Sequence, residues 1–276
     1  MKLKKWALSL LAILMIASFN APAFAEEEEA IVEVEDGVLS NNRVLIPLRV
    51  VSSNLGGDIK WYSEDRYIQI NTKEKEILLA VNFKNARVND TIIPLDSPVL
   101  LIGGVTYVPL KFVSQVFGAK LTWDSENKQA TIRSNGQTVV VHVQSDESRI
   151  TDSLKISQAR LILLSEKLNE TSKLSEIKHI QTYFKPYFTE KLIGSILGGQ
   201  ELQNEWIQYD VPENSVYYTS STTGTLSQSF VLGNTLTGES HYVYDRNIEL
   251  VYREGVWKVN QMKFAYRTIP NLGYDR

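Results

Sequence analysis

The chain of 276 residues is 43% hydrophobic and 22% charged, a globular composition and more than a single small core accommodates. Its 29 basic and 32 acidic side chains give a net charge of -3, without the basic excess of a nucleic-acid-binding surface, so no nucleic-acid partner is expected. Cysteine is absent, which excludes disulfides, thiolate metal sites, cysteine nucleophiles and a lipid-modified cysteine anchor.

Lys2, Lys4 and Lys5 precede an apolar run from Trp6 to Phe19, and Ala23-Phe24-Ala25 follows Pro22. A basic start, a short apolar stretch and an A-x-A exit predict a secretory signal peptide over 1–25, cleaved after Ala25. The run is shorter than the ~20 residues that span a bilayer, so contact with the membrane is expected only through this transient leader. The expected location is secreted or wall-associated. Glu26 to Glu29 opens an acidic mature N-terminus, 26–36, and this charge run is read as a solvated terminus that aids export rather than as a cation site or wall-facing spacer.

Val44 to Trp61 recurs in Thr106 to Trp123, with proline, leucine, a basic residue, valine, serine, glycine and tryptophan in register at an offset of 62 residues. In each unit a short β-prone run leads into Pro47 or Pro109, which opens a helix. Leu48, Val51 and Leu55 form one helical face, and Leu110, Val113 and Phe117 repeat it. Gly56 and Gly118 end the helices. Strands then carry Ile59 and Trp61, or Leu121 and Trp123, and return over Tyr67–Asn71 and Gln129–Arg133. Between the units, Glu76–Val81, Ala86–Val88 and Thr91–Leu95 read as strands, with Asn89-Asp90 as a hairpin turn. Val38–Leu39 and Val99–Ile102 are expected to pair across Asn41-Asn42 and Gly103-Gly104.

The motif in Ile46-Pro47-Leu48-Arg49 to Trp61, and again in Val108-Pro109-Leu110-Lys111 to Trp123-Asp124, resembles the copper amine oxidase N-terminal-like, or stalk, domain. The resemblance covers Gly37 to Arg133, and a domain over 37–143 is expected. It implies an exported protein of Gram-positive spore-forming bacteria, with the module as a non-catalytic appendage associated with wall or surface layer. Gly57-Asp58, Tyr62 and Lys111 depart from the family pattern. The copper-binding catalytic domain of such oxidases has no counterpart here. His142, His179 and His241 are scattered, so no metal and no cofactor are expected. Arg49 and Lys111 are candidates for an anionic wall polymer, or for local pairing beside their helix starts. Trp61 and Trp123 are candidates for sugar stacking. Their duplication favours packing inside each unit.

Thr138–Val143 reads as one more strand and 144–152 as a linker. Asp152 or Ser153 is expected to cap a helix carrying Leu154, Leu161, Leu164 and Leu168. A second helix is expected from Leu174 to Phe184, interrupted at Pro186, and a third from Thr189 to Gly198-Gly199. Strands are expected over Trp206–Tyr209, Ser215–Ser221, Ser227–Leu232, Ser240–Asp245, Asn247–Arg253 and Val256–Tyr266, with a bulge around Asn260-Gln261. Helices followed by a strand meander resemble the NTF2-like, cone-shaped α+β architecture over 153–276, so the whole chain is expected to be α+β. Tyr242 and Tyr244 are candidate pocket residues there.

No catalytic motif is present, and no residue is assigned a catalytic role. The leading expectation is a non-enzymatic envelope protein with peptidoglycan, an anionic wall polymer or a surface protein as partner. One alternative is an envelope hydrolase with its site in the NTF2-like domain, where Asp210, Glu213, Glu239, Asp245 and Glu249 supply carboxylates and His241 a base. Another is a surface or spore assembly component.

Overall fold

The computed structural model describes residues 30–40, 43–134, 136–144, 150–200, 206–212 and 215–274. The expected signal peptide, the run Glu26 to Glu29, the Asn41-Asn42 turn and linker residues 145–149 lie outside the described residues.

The first domain opens with β1 (Ala30–Ser40), β2 (Arg43–Pro47), α1 (Leu48–Asn54), β3 (Asp58–Tyr62), β4 (Tyr67–Asn71) and β5 (Glu76–Ala80). A hairpin of β6 (Asn85–Val88) and β7 (Thr91–Pro94) follows, turning at Asn89 with φ 52°. Then come β8 (Leu100–Ile102), β9 (Val105–Pro109), α2 (Leu110–Phe117), β10 (Lys120–Asp124), β11 (Gln129–Ser134) and β12 (Gln137–Gln144). The strands form a seven-stranded sheet, β10-β11-β12-β1-β2-β9-β8, and a five-stranded sheet, β3-β4-β5-β6-β7. Residues of both sheets and both helices share one apolar core around Ile46, Ile70, Leu79, Val108, Ile132 and Val141. Pro47 and Pro109 end β2 and β9, and the helices start at the next residue, so each proline precedes its helix rather than opening it.

Strand register repeats at the offset seen in the sequence. Val38 pairs with Leu45, and Leu100 with Tyr107. Trp61 pairs with Ile68, and Trp123 with Ala130. Ile70 pairs with Ile77, and Ile132 with Val139. Corresponding turn residues Arg66 and Lys128 both adopt φ 51°. The corresponding residues Ile46 and Val108 pair with each other across the antiparallel β2–β9 seam.

The acidic start departs from expectation. A solvated acidic terminus to residue 36 was anticipated, but β1 begins at Ala30 and runs parallel to β12, from Ala30↔Gln137 to Val38↔Gln144. Its glutamates point outward while Val34 is buried in the core, the alternation of a half-buried strand. A register shift between Val34 and Gly37 marks a bulge. At Gly37 an added Cβ would lie 2.8 Å from the His142 carbonyl oxygen, so only glycine permits this approach.

The second domain places helices on one face of an antiparallel sheet ordered β13 (Tyr217–Ser220), β14 (Thr223–Asn234), β15 (Ser240–Arg253) and β16 (Val256–Pro270). Its helices are α3 (Gln158–Asn169), α4 (Ile180–Phe184) and α5 (Glu190–Leu197). Leu161, Leu164, Phe184, Phe188 and Ile193 pack against Leu226, Ile248, Leu250, Val259 and Met262. Ile150 already belongs to this core.

Several boundaries differ from expectation. Ser157, not Asp152 or Ser153, caps α3, its hydroxyl accepting from Arg160 N at 3.2 Å. Leu174 lies in a 3-10 segment, Glu170–Glu176, and α4 starts only after His179. The expected strand over Trp206–Tyr209 does not form. Ile207 and Tyr209 are buried and alternate with exposed neighbours, but the segment lies against Tyr244 and Phe264 without ladder pairing. Ser240–Asp245 and Asn247–Arg253 are one continuous strand, because Arg246 at the break is itself buried. The expected bulge forms: Glu249 pairs with Gln261 and Leu250 with Val259, leaving Asn260 extra.

Candidate functional site

The junction between the domains brings together residues far apart in sequence. One face of β5 sends Ile77 and Leu79 into the first core. The other sends Leu78 and Ala80, with Phe83, against Val243, Ile269 and Leu272. Beside this apolar seam sits a fully buried charge pair. Arg267 Nε lies 2.7 Å from Asp245 Oδ2, and its Nη2 donates to Asp245 Oδ1 at 3.1 Å. Arg66 of the first domain approaches the same carboxylate at 3.6 Å. Arg267 also donates to the carbonyls of Asp65 and Val81 at 2.9 and 2.8 Å. Burial lowers the Arg267 pKa, and Asp245 opposes that shift. Asn82 donates to Ser227 and Ser229, and the Tyr274 hydroxyl accepts from Lys84 N. These bonds satisfy most of the polar groups named at the junction, whereas Asp245 Oδ2 and Arg267 Nε meet only as an ion pair, without hydrogen-bond geometry.

Next to the seam lies a cleft of about 580 Å³. Thr225, Ser227, Asn247, Glu249 and Lys263 line it from the sheet, and Arg66, Asn82 and Gly103 from the first domain.

Of the residues weighed for the hydrolase alternative, Asp245 and His241 are held in buried contacts and Asp210 is exposed. Asp245 is locked in the junction. His241 is fully buried. Its Nε2 accepts from Leu272 N at 3.2 Å and its Nδ1 lies 2.6 Å from Asn234 Oδ1, which fixes the neutral tautomer with the proton on Nδ1. Neither nitrogen is available as a base. Asp210 is exposed, with its carbonyl taken by Gln228.

Arg49 and Lys111 are the second residues of α1 and α2, and both are exposed. Among the described residues neither has an ion pair or side-chain hydrogen bond, so the expected local pairing is not what holds them. The register Leu45↔Pro109, Pro47↔Tyr107 sends the two helices from opposite ends of the β2–β9 seam. The two tryptophans also separate. Trp61 packs against the first core, opposite Ile68. Trp123 is 43% exposed, opposite the small Ala130; the expectation that each fills its own unit fails for Trp123. Tyr242 is exposed, whereas Tyr244 is buried between Phe264 and Tyr266, with ring centroids at 5.2 and 4.3 Å.

Arg246 is a buried cation that sequence reading passed over. It donates to Gln228, Asn169 and Ser165 and lies 4.1 Å from the Tyr209 ring. Burial pushes its pKa down to about 10. Among the described residues no cluster of three or more His, Cys, Asp or Glu side chains could hold a metal.

Residues 27–132 match the family model of the copper amine oxidase N-terminal domain. No curated protein and no solved structure matches the chain.

Proposed function

We propose that this is an exported, non-enzymatic protein of the Gram-positive cell envelope. Its first domain is a duplicated stalk-like unit that contacts wall or surface-layer polymer. Its second is an NTF2-like domain that binds a ligand or partner. The repeated strand registers support the duplication, and helices on one face of a four-stranded sheet support the NTF2-like assignment. The leader motif over 1–25 supports export. One observation carries the functional reading. The groups suited to acid-base work, Asp245 and His241, are buried in fixed pairs, while Arg49 and Lys111 stand exposed without described partners. Such cations attract anionic polymers at range.

Incubation with purified sacculi, with and without their attached anionic polymers, tests this. The protein is expected to sediment with intact walls at low salt and to release as salt rises. The double variant Arg49→Ala/Lys111→Ala is expected to sediment several-fold less. A protein that stays free of walls at every salt concentration overturns the reading.

A further inference from the structure

The face of β14–β16 turned toward the first domain changes character along its length. Val231, Val243 and Ile269 form an apolar end against Leu78 and Ala80, and Asp245 with Arg267 follows. Beyond them the same face leaves the seam and becomes the floor of the cleft. Two cross-strand rows cover it, Ser227–Asn247–Lys263 and Thr225–Glu249–Gln261.

Much of this polar surface is already engaged. Ser227 donates to Asn247 Oδ1 at 2.6 Å, and Asn82 donates to Ser227. Lys263 is different: it is exposed and has no described partner. One oxygen of Glu249 is also open among the described residues, where only Oε1 accepts, from Asn260 Nδ2 at 2.9 Å. Glu249 and Lys263 occupy diagonal positions on neighbouring strands, where backbone separations are about 7–8 Å and long side chains meet. Opposite charges so placed ordinarily close on each other, yet no ion pair joins these two among the described residues. The bulge explains it. Asn260 is the extra residue, anchored by the Thr189 hydroxyl at 3.1 Å, and it ties the Glu249 carboxylate away from Lys263.

We propose that the cleft binds a short peptide with both termini free, its ammonium group at Glu249 and its carboxylate at Lys263. Arg66 on the facing wall adds positive potential on the carboxylate side. The volume of about 580 Å³ lies within the range of about 300–1,000 Å³ for small-ligand sites. Among the described residues no aromatic ring lines the cleft, which disfavours a sugar held by stacking. This site is separate from Arg49 and Lys111, so it does not rest on wall binding, and sedimentation with sacculi does not decide it.

Calorimetric titration of the full chain with trialanine, N-acetyl-trialanine, trialanine amide and chitotriose tests the proposal. Trialanine is expected to bind, with a loss of about tenfold when either end is blocked, as for a hydrogen bond to a charged group. Glu249→Gln is expected to weaken trialanine about tenfold and leave the acetylated peptide unchanged. Lys263→Gln is expected to do the same with the amide as its reference. Neither side chain is buried, and circular dichroism checks that both variants fold. Absence of trialanine binding, equal binding of free and blocked peptides, or binding of chitotriose in preference to trialanine overturns the proposal.

Discussion

At Gly57 an added Cβ would lie 2.8 Å from Ile70 Cγ2 and 3.3 Å from Phe117 Cε1. The corresponding Ala119 carries its methyl group in a buried position. The departure from the family pattern at Gly57 thus has a steric cause: Ile70 and Phe117 already fill the space. Gly57→Ala is expected to cost about 1–3 kcal/mol by overpacking. Ile70→Leu removes the Cγ2 branch, so the two changes together are expected to cost less than their sum by about 1 kcal/mol; urea denaturation of the four proteins measures this. A second departure, Tyr62, also has an account. Asp124 at the corresponding position accepts from the N–H groups of Glu126 and Asn127, closing its turn. Tyr62 stacks on Tyr67 across the β3–β4 turn instead, with centroids 4.1 Å apart.

Among the elements, β1 carries a testable consequence. It fills the gap between β12 and β2 in the seven-stranded sheet. Starting the chain at Gly37 removes Val34 from the core and uncovers the β12 edge. The truncated protein is expected to unfold at lower denaturant and to self-associate in sedimentation velocity, because an open strand edge pairs with other chains. Equal stability and a monomeric profile would count against a structural role for Ala30 to Asp36. This strand was not legible in the sequence, because its alternating acids read as a charged tail and its ladder partner lies at the far end of the domain. Pro47 and Pro109 did mark the starts of α1 and α2, and the parity slip near Asn260 did mark the bulge. Both are local signals. The segment from Trp206 to Tyr209 misled for the opposite reason: alternation reports one buried side, whether or not a neighbouring strand supplies hydrogen bonds.

For the molecule as a whole, the buried Arg267–Asp245 pair and the seam around Phe83 join the domains through side chains and carbonyls from both. Heating is expected to give one calorimetric transition, with calorimetric and van't Hoff enthalpies equal. Arg267→Ala leaves Asp245 buried without its closest partner, and is expected to cost about 3–5 kcal/mol and to split the transition in two. A single transition at an unchanged temperature would show that the seam does not couple the domains. Little of this junction was legible. Arg66, Asp245 and Arg267 lie in separate stretches, and no local pattern announces that distant charges meet. The trace is a charged residue at the inward parity of each strand, Asp245 two residues from Val243 on β15 and Arg267 opposite Val243 on β16. The cleft was hidden likewise, since its floor and wall belong to different domains.

The parallel ladder of β1 with β12 also orders events in time. Ala30 cannot meet Gln137 until the last strand of the first domain has been synthesised. Contacts between residues so distant along the chain form slowly, since the entropy of closing the intervening loop is lost before any bond rewards it. The first strand of the domain to leave the ribosome is therefore among the last to settle, and the first domain completes its seven-stranded sheet only when its own end has arrived.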